Sequence, residues 1–181
     1  QILNLNNIKV ASIGTLGVSS KNFNLNSSNT TLDSVSIHKV LYKLKKLKID
    51  NVILEASSHG LHQHRLNNIN FKTAIFTNLT MDHLDYHKNI KNYLNAKLYL
   101  FKELLDLKGN IIFDETINQS KQLDTITKKR RLKKYTFGSS RSFIKINKIQ
   151  KVNNQNQIDF TLNKKNYSFK TSLLGKIQIK N

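Results

Sequence analysis

The chain has 181 residues, enough for one domain with a real core and too few for two full ones. Its hydrophobic fraction of 38% is low but globular, and the absence of Cys excludes disulfides and thiolate metal sites. Lys and Arg number 30 against 11 Asp and Glu, a formal net charge of +19, which raises nucleic-acid binding as a candidate role.

Two features weaken that candidate. The dense basic clusters, Lys43 to Lys48 and Lys128 to Lys134, lack interleaved aromatics for base stacking. The remaining Lys residues are scattered among many Asn and Ile, as in an A/T-biased coding sequence. A basic, solvated surface with no specific nucleic acid is the better reading. There is no apolar run near the ~20 residues that cross a bilayer and no charged-then-apolar leader, so the expectation is a cytoplasmic protein without a membrane span.

In chain order, residues 8–13 (IKVASI) predict a short buried strand and Gly14-Thr15-Leu16-Gly17 a turn. The polar stretch 18–31 ends in Asn29-Thr30-Thr31. Thr31 or Asp33 can cap a following helix, whose apolar positions Val35, Ile37, Val40, Leu41, Leu44 and Leu47 recur at helical spacing. Residues 50–56 (DNVILEA) read as a parallel strand covered on both faces, and 57–65 as a short helical turn. Residues 72–77 predict another strand, 89–105 a helix, 109–113 a third strand, 116–126 a weak helix and 131–137 an edge strand. This alternation defines an α/β fold with a mainly parallel sheet flanked by helices.

From Ser142 the pattern changes to period two, with turn positions at Asn153-Asn154 and Asn163-Lys164. A small antiparallel β-sheet at the C-terminal end is expected. The chain stops at LLGKIQIKN without a closing helix, which hints at a fragment.

The chemistry gathers between Glu55 and Lys97. Ligands of open parallel sheets bind outside the carboxyl ends of the strands. Glu55 stands at one such end, followed by Ser-Ser-His-Gly, and DHLDYH emerges after the next strand. A carboxylate and an imidazole there suit a hard divalent cation near phosphates; a strand-end salt bridge is the plain alternative for Glu55. Five of the six histidines lie here (His59, His62, His64, His83, His87), but H-x-x-H-x-H and H-x-x-x-H match no familiar structural zinc spacing. Ser57 lacks the G-x-S-x-G of a serine hydrolase. Lys97 lies on a mostly apolar helix face near Tyr93 and Phe101. It is either a snorkelling cation or a desolvated, neutral amine able to take up carbon dioxide as a carbamate. Gly14 to Gly17 lacks the G-K-[ST] ending of a phosphate loop.

The segments EASSHGLHQHR, FTNLTMDHLDYH and YLNAK closely resemble the Mur ligase family, and SSHGL resembles its branch adding the third peptide residue. GTLG at 14–17, NTT at 29–31 and the closing LLGKIQIKN extend the resemblance over essentially the whole chain. It implies a P-loop NTPase-like central, ATP-binding domain over 1–181: an α/β part at 1–141 lacking the phosphate loop, and an antiparallel subregion at 142–181. It also implies that the phosphate loop and the N- and C-terminal domains lie outside this chain, which would be inactive alone.

The activity implied is ATP-dependent amide formation in bacterial peptidoglycan synthesis, joining diaminopimelate or lysine to UDP-MurNAc-L-Ala-D-Glu through an acyl phosphate. By resemblance, Glu55 and His83 would hold magnesium, with Lys97, carbamylated, binding a second magnesium. Asn29, Thr30, Thr31, Ser57, Gln63 and Arg65 would hold the UDP-muramoyl dipeptide, with Asp82 and Asp85 orienting His83 and its loop. Leu32 stands where the family has Pro, and Gln178 where it has Asn. A folylpolyglutamate synthetase-like ligase of the same fold is the alternative enzyme; such relatives do not generally carry SSHGL followed by Q-x-R.

Overall fold

A computed structural model describes residues 2–173. They fall into two compact units, residues 2–69 with 81–104, and residues 70–80 with 105–173. The closing LLGKIQIKN, including Gln178, lies outside the described residues apart from Leu173.

The first unit opens with a single helical turn, α1 (Ile2–Leu5), and holds a four-stranded sheet in the order β3-β2-β1-β4. Strand β1 (Val10–Gly14) turns through Thr15-Leu16 into β2 (Gly17–Ser19), which pairs with β3 (Asn24–Leu25). On its other side β1 runs parallel to β4 (Asn51–Leu54), with Ile13 opposite Leu54. The crossover between these parallel strands is α2 (Ser34–Lys46). Asp33 caps it, its carboxylate accepting from the amides of Val35 and Ser36 at 3.0 and 2.9 Å. Ile37, Val40 and Leu44 are buried at the predicted helical spacing, while Val35 is exposed.

Strand β4 differs from expectation. It is an edge strand with alternating exposure, and Ile53 is 58% exposed. Among the described residues the apolar run is therefore covered on one face, not on both. After it come α3 (Ser58–His62), α4 (Leu84–His87) and α5 (Ile90–Tyr99), with α3 and α4 both packed on α5. The single helix predicted for 89–105 ends at Tyr99, continues as a π-helical turn over Leu100–Leu104, and then becomes strand.

The caps explain the start of α5. Asn89, in an extended conformation, accepts from the amide of Asn92 at 2.9 Å, satisfying one of the first-turn donors that no helix can pair internally. Asn89→Ala is expected to lower stability by about 1 kcal/mol, read as a lower midpoint in thermal unfolding.

The second unit is a six-stranded sheet in the order β10-β9-β8-β7-β6-β5. Strands β5 (Phe71–Phe76), β6 (Leu105–Asp114) and β7 (Lys133–Phe137) are parallel, and α6 (Ser120–Arg130) crosses between the last two. Strand β7, predicted at an edge, is interior in the order: β8 (Ile144–Val152) joins it in parallel at Phe137 and Ile144. The antiparallel hairpins of β8, β9 (Gln155–Leu162) and β10 (Lys165–Thr171) thus extend the same sheet. Both hairpin tips follow the predicted chemistry. Asn153, Asn154, Asn163 and Lys164 all have left-handed φ between 48° and 63°, as a two-residue type I′ turn requires.

Candidate functional site

The first unit gathers nearly all the residues singled out in the sequence, and the end of β4 is where they meet. The Glu55 amide donates to the Ile13 carbonyl at 2.8 Å, continuing the β1–β4 pairing by one residue past the strand. This places the Glu55 side chain over Gly14. A Cβ on Gly14 would come within 2.5 Å of Oε2, so glycine leaves the carboxylate its seat. Thr15, at the tip of the β1–β2 turn, donates to Oε2 from both its amide and its hydroxyl at 2.9 Å. The Thr15 hydroxyl proton is thereby used, so Thr30 Oγ1, 3.1 Å away, donates to Thr15. The GTLG turn is thus a carboxylate holder, a role its failure to match a phosphate loop did not suggest.

Thr31 ties the second loop in. It is 1% exposed; its hydroxyl donates to the Glu55 carbonyl and accepts from the Ser57 amide, both at 2.9 Å. Gly60 makes this possible, since a Cβ there would lie 2.6 Å from Thr31 Cγ2. Ser57 caps α3, accepting from the Gly60 amide at 3.1 Å. Arg65 Nη1 donates to the Thr31 carbonyl at 2.7 Å and its Nε to Gln63 Oε1 at 2.8 Å. Thr30, Thr31, Ser57, Gln63 and Arg65 therefore form one hydrogen-bonded neighbourhood with Glu55. Asn29 lies beside it in a turn, its amide on Ser27 Oγ and its side chain exposed.

The imidazoles form a second cluster. His83 sits in the left-handed region (φ 55°) just before α4, and its amide donates to Asp82 Oδ1 at 2.8 Å. The same carboxylate oxygen lies 3.6 Å from His83 Nδ1, so Asp82 does border the ring. The rings of His59 and His83 are 5.0 Å apart edge to face, and His59 and His87 5.5 Å apart. Burial, and then the neighbouring His83 charge, push the pKa of His59 down. Burial and the His59 charge do the same to His87. His87 is 3% exposed, stacks on Tyr93 and meets Ser58 Oγ at 2.9 Å. Asp85 lies in the first turn of α4 and acts on His59 and His87 by charge. His64 sits apart on a left-handed turn, edge-on to Tyr99.

Lys97 projects from α5 with Nζ 5.3 Å from the Tyr93 ring centre. Burial pushes its pKa below the ordinary lysine value, and the charge of Asp82 opposes that shift. Among the described residues no three His, Asp or Glu side chains come together as a ready-made metal site. No helix among them is long and apolar enough to cross a membrane.

The second unit carries a polar cluster that the sequence did not announce. Glu115 accepts from the hydroxyls of Ser139 and Ser142 at 2.6 and 2.8 Å, which hold its pKa below the carboxylate range. It follows Asp114, at the carboxyl end of β6, where the neighbouring strand is also parallel. The only clue in the sequence was two adjacent acids closing an apolar strand.

Solved structures of two kinds share this fold. A UDP-N-acetylmuramoyl-L-alanyl-D-glutamate–2,6-diaminopimelate ligase aligns over 99% of this chain and 37% of its own, with a TM-score of 0.84 and 23% identity. The apo form of the L. casei FPGS aligns over 99% of this chain and 50% of its own, with a TM-score of 0.66 and 8% identity.

Sequence carries the assignment further. The family model for the Mur ligase middle domain matches residues 1–181, and the chain belongs to that family. A Rickettsia bellii protein named UDP-N-acetylmuramoyl-L-alanyl-D-glutamate–2,6-diaminopimelate ligase is 39% identical over all of this chain and 39% of its own length. A namesake from Buchnera aphidicola subsp. Baizongia pistaciae is 34% identical over all of this chain and 37% of its own. The chain thus spans under two fifths of the length of these relatives.

Proposed function

We propose that the chain is the central, nucleotide-handling segment of an ATP-dependent ligase of the bacterial cytoplasm, joining a third amino acid to UDP-MurNAc-L-Ala-D-Glu. In this reading 1–141 is the α/β part of the domain and 142–181 its antiparallel subregion. The observation that carries it is the Thr31 hydroxyl. It links the NTT loop to the backbone on both sides of the Glu55-Ala56-Ser57 turn, so one bond network spans the proposed cation ligand and the proposed sugar-peptide ligands.

In the reaction a substrate carboxylate oxygen attacks the γ-phosphorus of ATP, the bond to the β-phosphate oxygen breaks, and ADP leaves. The amine of diaminopimelate or lysine then attacks the acyl carbon. Phosphate departs, the amine nitrogen gives up a proton, and an amide remains. Both steps gather negative charge on oxygen, and such transfers are accelerated chiefly by fixed donors and cations. Arg65, braced by Gln63 and Thr31, offers its remaining guanidinium donors to an anionic group of the sugar peptide.

Magnesium fits the residues present on one condition. Glu55 supplies oxygen and His83 an imidazole, but a lysine amine is a poor partner for a hard cation. Burial lowers the pKa of Lys97 and so raises its uncharged fraction, and a carbamate on it would supply oxygen donors instead. Bound there, magnesium would supply charge neutralisation at the transferring phosphoryl group. Glu55 would be held ready by Thr15, and His83 by Asp82.

The reading is tested by assaying a polypeptide of the relatives' full length that contains this chain, with ATP and a choice of acceptors. UDP-MurNAc-L-Ala-D-Glu with diaminopimelate or lysine is expected to yield ADP, phosphate and the tripeptide product. Turnover of folate with glutamate instead would replace the proposal by the folylpolyglutamate reading.

A further inference from the structure

We infer that Tyr86 is a positioning residue for the Gln63–Arg65 pair, holding the far end of the Gln63 amide and thereby setting how Arg65 is presented to the sugar peptide. The inference rests on the sugar-peptide reading above.

Donor and acceptor counting carries it. Arginine has donors only, so the Gln63 atom that meets Arg65 Nε at 2.8 Å is the carbonyl oxygen. The amide nitrogen then faces the other way, onto the Tyr86 hydroxyl at 3.1 Å, whose oxygen accepts. That leaves the hydroxyl proton for His62 Nδ1 at 3.0 Å, and a neutral His62 therefore carries its proton on Nε2. Donation therefore runs outward from Arg65, through Gln63 and Tyr86 to His62 on one side and directly to the Thr31 carbonyl on the other, and the Thr31 hydroxyl in turn donates to the Glu55 carbonyl.

The phenol is well placed for this. Its ring centre lies 4.1 Å from that of His59, 5.5 Å from His62 and 4.8 Å from His87. His87 in turn is anchored to Ser58 in the buried interior, so the surrounding rings hold the phenol beside Gln63. Without the hydroxyl, the Gln63 amide nitrogen loses its partner and the amide is held from the Arg65 side alone. A less restrained amide gives the guanidinium a looser brace. Binding of the anionic substrate weakens while the phosphoryl and acyl chemistry at Glu55 is untouched.

The experiment uses the complete ligase containing this chain and the variants Tyr86→Phe, Gln63→Ala and both together. Tyr86→Phe keeps the ring. It is expected to raise KM for UDP-MurNAc-L-Ala-D-Glu about tenfold, while kcat, KM for ATP and the thermal midpoint stay near those of the parent. The double variant is expected to match Gln63→Ala alone, because the two changes break one chain. Additive losses, or a fall in kcat with KM unchanged, would overturn the inference. In the parent, at a pH where the His62 ring is neutral, the nitrogen resonance of Nδ1 is expected in the unprotonated range, and a neutral ring protonated on Nδ1 would deny the Tyr86 hydroxyl proton its acceptor and sink the inference. If Gln63→Ala and Arg65→Ala leave that KM alone, the sugar-peptide reading fails instead, and the His62 resonance still reports on the hydrogen-bond chain.

Discussion

Lys97→Ala in the complete ligase is expected to cut the rate of tripeptide formation by at least about 100-fold, with partial recovery when a short carboxylic acid is added. The argument begins with burial, which lowers the Lys97 pKa and so raises the uncharged fraction that can react with carbon dioxide. A carbamate on Lys97 would exchange a cation for an anion at a half-buried point beside Tyr93, where an added acid could stand in after truncation. The same shift has a stability consequence. Because the folded-state value lies below the ordinary lysine value, the folded chain binds fewer protons than the unfolded one between the two. Its penalty is absent above the ordinary value and grows as the pH falls towards the folded-state value. Full activity of Lys97→Ala without any added acid would remove Lys97 from the chemistry.

Thr31→Val carries the second large effect. Valine keeps the shape that Gly60 makes room for, but its methyl replaces an oxygen that serves two backbone groups at once. The Ser57 amide and the Glu55 carbonyl then lose their partner in a part-buried place. A loss of about 1–3 kcal/mol is expected, seen as a lower thermal midpoint. Thr31→Ser, which retains the oxygen, is expected to lose less. In the complete ligase Thr31→Val should also raise KM for the sugar peptide, since Arg65 docks on the Thr31 backbone. Equal stability of the valine and serine variants would show that the hydroxyl is not the strap.

Local chemistry explains what could be read in advance. The caps and turns were legible because single side chains determine them: Asp33 before α2, and the Asn pair at 153–154 with its left-handed backbone. Helix α2 was legible from its spacing. The edge position of β4 and the interior position of β7 were not, because neighbours in a sheet are set by which strands pair across the fold, and Ile53 or Tyr135 looks the same either way. In the site, residue types at strand ends pointed to Glu55 and His83, and resemblance supplied roles. Thr15 and Tyr86 went unread, because their importance lies in which atoms they touch forty and twenty-three residues away.

The most direct test of the proposed chemistry follows oxygen. The complete ligase is given UDP-MurNAc-L-Ala-D-Glu labelled with heavy oxygen in its glutamyl carboxylates, and the released phosphate is analysed by mass. Attack of the carboxylate on the γ-phosphorus, followed by displacement by the amine, carries one labelled oxygen into phosphate for each amide formed. Phosphate released without label, while the tripeptide accumulates, would contradict the account.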